Sequence, residues 1–306
     1  MAKARIAVVG AGLMGHGIAQ VFALAGHDVT ITDLVKSNLD SARARILANL
    51  NDLGDDQQAV ERVAPVADLA AAVRDADYVV EAVLEDLSLK QKLFADIEKH
   101  VGPNTILASN TSVIPITKIM EGLARRERAL GTHWWNPPFL VPLVEIIETE
   151  WTSPKTLNFA MTLHAAAGKM PAHVKKDVPG FIGNRLQHAL WREAVALVEQ
   201  GICDAETVDN VIKAAFGRRL AVLGPLENAD MVGTDLTLAI HKTVLPDIDS
   251  RRAPSPYLEK LVKEGKLGFK SGEGFRKWSS EQQSQLRSKV LQHLKKARAE
   301  DTNSTS

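Results

Sequence analysis

The segment GAGLMG at residues 10–15 constrains this chain more than any other. An apolar run, RIAVVG (5–10), leads straight into it, and a helical pattern, MGHGIAQVFALAG (14–26), leads straight out. Three glycines at that spacing between a strand and a helix have a physical use. Gly10 permits a tight turn, Gly12 lets the backbone approach a pyrophosphate, and Gly15 lets the helix pack close on the strand. The helix N-terminus then offers N–H groups and the positive end of its dipole to the phosphates. Leu13 and Met14, inside the same segment, are expected among the cofactor contacts. A second alternating run, DVTITD (28–33), ends on Asp33, about 20 residues on, where an acid binds a ribose 2′-hydroxyl and repels a 2′-phosphate. The expected cofactor is NAD, although Lys36 supplies a cation nearby. The alternative is a plain glycine turn with Asp33 as a helix cap, and the complete strand–turn–helix context disfavours it.

Further strands are expected at DYVVEAV (77–83), TILASN (105–110), RALGTHW (128–134) and PLVEIIE (142–148), with helical stretches between most of them and a polar helix at 37–53. Such alternation predicts a parallel sheet covered on both faces, the α/β doubly wound architecture of a Rossmann domain. No strand is expected after PAHVKK (171–176). From Pro179 the period turns helical, in GFIGNRLQHALWREAVALVEQG (180–201), AETVDNVIKAAFG (205–217), DLTLAIHKTVL (235–245) and SPYLEKLVKEG (255–265). The chain is therefore expected to divide into an NAD-binding domain, 1–177, and an all-α domain, 178–306. Apolar residues on more than one face of the latter favour a homodimer formed through it. The tail EDTNSTS (300–306) is expected to be disordered.

Charge excludes some partners. Lys+Arg and Asp+Glu both count 37, so nothing in the balance attracts nucleic acid or an anionic membrane. Cys203 is the only cysteine, which rules out an intrachain disulfide and fits a reducing compartment. No signal-peptide pattern precedes the first strand, and no apolar run is long enough to span a bilayer. A soluble, cytoplasmic protein is expected.

The segment GTHWWNPPFLVPLVEI (131–146) places one titratable ring, His133, in an apolar setting, with Glu145 on the next apolar run. Oxidising an alcohol sends a hydride to a nicotinamide and a proton elsewhere. A histidine is a natural proton acceptor, because its ordinary pKa of about 6.5 lies near working pH. A carboxylate on the opposite ring nitrogen fixes the tautomer and stabilises the imidazolium. The residues alone leave a second reading open: His133 as a satisfied core histidine, with Glu145 paired to an arginine.

Four collinear motifs go further. SNTS (109–112), HWWNP (133–137), LVE (143–145) and GFIGNR (180–185) resemble, in order, the pattern of the 3-hydroxyacyl-CoA dehydrogenase family, and GKLGFKSGEGFRKW (265–278) resembles its closing glycine-rich segment. The resemblance implies that His133 is the catalytic base and Glu145 its partner. It implies that Ser112 and Asn184 hold the reacting oxygen and that Asn136 lies beside cofactor and substrate. EAVLEDLSLKQKLF (81–94) resembles the family's second cofactor segment, which puts Glu85 and Lys90 near the nicotinamide ribose. No metal is implied. Blander readings remain: helix caps for Ser112 and Asn184, a solvated pair for Glu85 and Lys90. The H-x-x-N-P segment separates this chain from the β-hydroxyacid dehydrogenases, which share the early glycines but rely on a lysine.

Some stretches depart from the acyl-CoA enzymes. The excursion after the second strand, KSNLDSARARILANLNDLGDD (36–56), is short and carries only Lys36, Arg43 and Arg45 as cations. GRRLAVLGPLE (217–227) and NPPFLVPLVE (136–145) look closer to the branch of L-gulonate 3-dehydrogenase (lambda-crystallin) and L-carnitine dehydrogenase, which oxidise free 3-hydroxy acids. A free carboxylate is well met by an arginine fork, for which Arg219, and after it Arg218, are the candidates. A solvated helix-end pair is the other reading of those arginines. Of Trp134 and Trp135, strand alternation turns one to each face, so at least one is expected in the core.

Overall fold

The computed structural model describes residues 3–304. They form two compact units, Met1–Arg185 with Leu291–Ser306, and Leu186–Val290.

The first unit is built on one eight-stranded sheet of order β3-β2-β1-β4-β5-β6-β7-β8. Its strands are β1 (Arg5–Val9), β2 (Asp28–Thr32), β3 (Val63–Pro65), β4 (Tyr78–Glu81), β5 (Ile106–Ser109), β6 (Ala129–Trp134), β7 (Leu143–Ile147) and β8 (Met170–Val174). β1 pairs in parallel with β2 and with β4, so the strand order reverses at β1. A crevice opens at such a reversal, outside the C-terminal ends of the strands. Helices α1 (Leu13–Leu24), α2 (Lys36–Leu53), α3 (Leu69–Val73), α4 (Leu87–His100), α5 (Ile116–Met120) and α6 (Pro154–Ala166) connect the strands. β4 and β5 are buried at every residue, as a sheet covered on both faces requires.

The sheet is not parallel throughout, as the alternation alone had suggested. β7 runs antiparallel to β6, and β8 runs parallel to β7. The β6–β7 connection, 135–142, is too short for a crossover helix, so the chain returns in a hairpin. β3 was not expected from the sequence. It is three residues long and ends on Pro65, which an edge strand tolerates.

α7 (Gly183–Glu199) starts in the first unit and continues into the second. The second unit adds α8 (Ala205–Ala214), α9 (Pro225–Val232), α10 (Thr234–Val244) and α11 (Pro256–Lys263), with no strand among its named elements. It leaves large apolar side chains in solvent, including Val222 at 86% and Leu226 at 80%. α12 (Ser280–Ser304) is a correction. The tail expected to be disordered is helical as far as Ser304, and 305–306 lie outside the described residues. Its late turns are tied to the first unit by Lys295 on Asp52 at 2.6 Å and Arg298 on Asp55 at 2.9 Å. Among the described residues no helix is long and apolar enough to cross a membrane.

Candidate active site

The glycine turn fits a dinucleotide. Gly10 has a φ of +105°, open to glycine, and a Cβ on it would lie 2.6 Å from the Ala82 carbonyl oxygen. A Cβ on Gly15 would lie 1.7 Å from the Gly10 oxygen, so α1 could not approach β1 with any other residue there. Gly12, the N-cap of α1, meets nothing within 4 Å and carries no side-chain cap, which leaves the helix N-terminus open to an anion. Leu13 is 67% exposed on this edge, and Met14 packs half-buried against the core. Asp33 follows β2. One carboxylate oxygen accepts from Ala11 N at 2.7 Å and the other from Val35 N at 2.7 Å. Asp33 therefore sits directly against the glycine turn. Leu34, beside it, is 97% exposed, and Leu84, after β4, is 79% exposed. Neither leucine was singled out from the sequence, yet apolar groups left in water at this edge suit the faces of a flat ring.

The SNTS segment has a division of labour. Ser109 Oγ donates to Glu81 Oε2 at 2.6 Å, Asn110 Oδ1 accepts from Trp134 N at 2.9 Å, and Thr111 Oγ1 donates to Glu85 Oε1 at 2.6 Å. These three fasten the end of β5 to its neighbours. Ser112 is left exposed, its N–H donating to Glu85 Oε1 at 2.9 Å. Burial alone would raise the Glu85 carboxyl, but the Thr111 hydroxyl, Lys90 and the Ser112 and Val113 N–H groups outweigh it and hold it below the ordinary range.

Glu85 and Lys90 are not a solvated pair. Lys90 is 1% exposed, and its ammonium donates to Glu81 Oε1 at 2.5 Å while lying 3.4 Å from Glu85 Oε2. Glu81 is fully buried at the end of β4 and was missed by the sequence reading. An acid closing the apolar run YVVE was the available signal.

The antiparallel return of β7 sets His133 and Glu145 directly opposite each other. His133 Nδ1 lies 2.7 Å from Glu145 Oε2, and both side chains are buried. The other carboxylate oxygen accepts from Ile182 N at 2.8 Å and Gly183 N at 3.0 Å, where α7 begins. Burial pushes the Glu145 carboxyl up, but His133 and these two N–H groups prevail and hold it below the ordinary range. An ionised carboxylate only accepts, so Nδ1 is the donor of this pair. His133 Nε2 makes no hydrogen bond among the described residues. The expected pairing of Glu145 with histidine, rather than with an arginine, is the one observed.

The two tryptophans part as alternation requires. Trp134 is 2% exposed and packs with Phe22 at 5.5 Å and His164 at 5.2 Å between ring centroids. Trp135 lies on the His133 side, its ring 5.2 Å from the imidazole, with Phe181 at 5.7 Å from the same ring. Phe181 holds a left-handed φ of 49°, and the turn it makes delivers the next two N–H groups to Glu145. A Cβ on Gly183 would lie 2.4 Å from Trp135 Cζ2, so that glycine makes room for the indole.

Asn184, near the start of α7, does not cap the helix. Its Nδ2 donates to the Ser112 carbonyl at 2.9 Å, tying Ser112 to α7. Asn136 is exposed just past β6, before a cis peptide bond to Pro137. Arg219 belongs to the second unit, where it is exposed and ends the short 3-10 turn Phe216–Arg218.

Known proteins resemble this chain along most of its length. Residues 5–178 match the family model for the 3-hydroxyacyl-CoA dehydrogenase NAD binding domain, and residues 180–278 match that for its C-terminal domain. A 5-formyl-3-hydroxy-2-methylpyridine 4-carboxylate 5-dehydrogenase of Mesorhizobium japonicum is 36% identical over 294 residues, covering 94% of this chain and 95% of that one. The human mitochondrial hydroxyacyl-coenzyme A dehydrogenase is 38% identical over 290 residues, covering 89% and 90%. Among solved structures, a dehydrogenase of the same pyridine carboxylic acid, described as an NAD+ dependent dismutase, superposes with a TM-score of 0.90 at 35% identity, covering 97% of this chain and 98% of that one. The (S)-3-hydroxybutyryl-CoA dehydrogenase of Ralstonia eutropha gives 0.77 at 32%, covering 91% and 100%.

Proposed function

The chain belongs to the 3-hydroxyacyl-CoA dehydrogenase family, NAD-dependent oxidoreductases acting on a CH–OH group, and on that premise we propose that it oxidises the C3 hydroxyl of a free L-3-hydroxy acid to the 3-keto acid. NAD, when bound, supplies the acceptor for the hydride that leaves C3. His133 Nε2 takes the hydroxyl proton. Glu145, ionised and held by the start of α7, keeps the imidazole in the required tautomer and stabilises its cation. The exposed Ser112 hydroxyl and the Asn184 amide, joined through the Ser112 carbonyl, hold the reacting oxygen. Gly10, Gly12, Leu13, Met14, Gly15 and Asp33 would hold the adenosine and pyrophosphate end of the cofactor. Glu85, Lys90 and Asn136 would flank its nicotinamide end.

The observation that carries the free-acid reading is the occupation of all three cations of α2. Lys36 pairs with Asp40 at 2.7 Å, Arg43 with Glu61 at 2.7 Å, and Arg45 donates into the glycine turn. Each already has a partner within the protein, which disfavours α2 as a dedicated cradle for the phosphates of a CoA thioester. A relative named for a pyridine carboxylate, a substrate without CoA, supports the same reading. So does the resemblance of 217–227 to the L-gulonate and L-carnitine branch. A 3-hydroxyacyl-CoA thioester, the substrate that most relatives are named for, is the second reading. The exposed apolar side chains of the second unit support a homodimer formed through it. The single free cysteine, Cys203, suits a cytoplasmic setting.

The test is NADH production from L-3-hydroxybutyrate, L-gulonate, L-carnitine and L-3-hydroxybutyryl-CoA. Silence with all four would overturn this substrate reading and revive a protein that only binds the dinucleotide as the rival. Two variants probe the ends of the site. Asp33→Ala is expected to shift the NAD/NADP preference toward NADP by about tenfold or more, since it removes the charge that repels a 2′-phosphate. An unchanged ratio assigns cofactor choice elsewhere. Arg219→Met is expected to raise KM for the hydroxy acid about tenfold with kcat little changed, the loss of one charge-assisted contact. An unchanged KM removes Arg219 from the substrate site.

A further inference from the structure

Ala11, between the first two glycines, is gripped on both sides. Its N–H donates to Asp33 Oδ2 at 2.7 Å, and its carbonyl accepts from Arg45 Nη2 at 2.5 Å. The same guanidinium nitrogen donates to the Asn38 carbonyl at 2.9 Å, in the first turn of α2. Nη1 reaches the Gly12 carbonyl at 3.4 Å and lies 3.1 Å from His16 Nδ1, which in turn lies 2.7 Å from the Gly12 carbonyl. His16 is buried. Burial pushes its pKa down against the pull of the Gly12 carbonyl, and Arg45 alongside adds to the lowering, which favours a neutral ring beside the guanidinium.

A peptide group is planar and trans, so its carbonyl and the next residue's N–H point in opposite directions. Fixing the Ala11 carbonyl fixes the direction of the Gly12 N–H. The Gly12 carbonyl, which also accepts from His16 N at 3.3 Å, does the same for the Leu13 N–H. Those two N–H groups stand at the uncapped N-terminus of α1, where the backbone is open at Gly12. Left alone, a glycine turn samples many orientations, and ordering it on binding costs affinity.

We propose that Arg45 is a positioning residue for the cofactor: by holding the Ala11 carbonyl, and bracing that of Gly12 with His16 as its neighbour, it aims the Gly12 and Leu13 N–H groups at the pyrophosphate before the dinucleotide arrives. Arg45 is therefore not a ligand for the cofactor or for a CoA phosphate. It acts through the backbone of the turn.

The experiment is calorimetric titration of ADP-ribose and of NAD into the full-length protein and its Arg45→Met, Arg45→Lys and Arg43→Met variants, alongside steady-state kinetics. Arg45→Met is expected to weaken both ligands about tenfold or more, the scale of a lost charge-assisted hydrogen bond to an ordered loop. KM for NAD rises by the same factor, while kcat at saturating NAD stays within about twofold. Arg43→Met, which breaks only a surface pair on the same helix, binds as the parent does. Wild-type affinity for ADP-ribose in Arg45→Met overturns the proposal. So does a loss that falls equally on kcat and on the hydroxy acid's KM, the mark of a general disturbance. Should Arg45→Met fail to fold, Arg45→Lys carries the test. It keeps the charge without the planar fork, so a threefold or larger loss of ADP-ribose affinity, on the order expected for one hydrogen bond, supports the role and unaltered affinity refutes it.

Discussion

His133→Ala is expected to lower kcat at least about 100-fold while leaving the fold and NAD affinity intact, because it removes the acceptor of the hydroxyl proton. Among the described residues the imidazole is the only titratable ring held this way at the C-terminal ends of β5 and β6. Its Nδ1 is committed to Glu145 at 2.7 Å, and Glu145 is committed in turn to the first N–H groups of α7. That chain of bonds leaves one nitrogen for chemistry. It also explains the aromatic surroundings. Trp135 and Phe181 both lie within 6 Å of the ring, keeping water from Glu145 and strengthening the pairing. Steady-state turnover with circular dichroism as the fold control decides the matter, and turnover near that of the parent would remove His133 from the mechanism.

Lys90→Met should be the costliest single change for stability in the first unit's polar interior. It strands Glu81, fully buried, without its ammonium partner. Breaking a buried pair in this way costs about 3–5 kcal/mol, because a carboxylate is left uncompensated away from water. Ser109 supplies one hydrogen bond to Glu81 and cannot neutralise it. Chemical denaturation measures the loss. The double variant Glu81→Gln with Lys90→Met should recover a good part of it, since no charge then remains buried. A cost for Lys90→Met under about 1 kcal/mol would return Lys90 to the solvated surface pair that its sequence spacing also allows.

Much of the site was legible in the chain because period and motif agreed. The strand-glycine-helix opening specified β1, the turn and α1 together, and the crowding at Gly10 and Gly15 is what their spacing implied. The pairing of His133 with Glu145 followed from chemistry, but its geometry did not. It depends on β7 running antiparallel to β6, and alternating strands and helices suggested a parallel sheet. The short 135–142 connection was the missed cue. Glu81 was hidden for another reason. A strand-end acid in an apolar run carries no label, and only tertiary packing brings Lys90 and Ser109 onto it. Arg45 was marked only as one of the few cations of the 36–56 stretch; its carbonyl partners are contributed by a loop some thirty residues away and leave no periodic trace. α12 was missed because a polar helix with little apolar patterning resembles a disordered tail.

The two tryptophans illustrate what a strand's alternation can decide. One ring serves the core and one flanks the imidazole. Trp135 is thus a feature of the site itself, seated where Gly183 leaves space for it.

A site whose α2 cations all have partners within the protein is expected to oxidise a free 3-hydroxy acid in preference to a thioester. The most direct test is the ratio of kcat/KM for the best free acid among L-3-hydroxybutyrate, L-gulonate and L-carnitine to kcat/KM for L-3-hydroxybutyryl-CoA, with NAD saturating. The expected ratio is well above one, by about tenfold or more, the scale of one productive charge-assisted contact. A ratio well below one would contradict it and make the protein a hydroxyacyl-CoA dehydrogenase that binds its thioester without those cations.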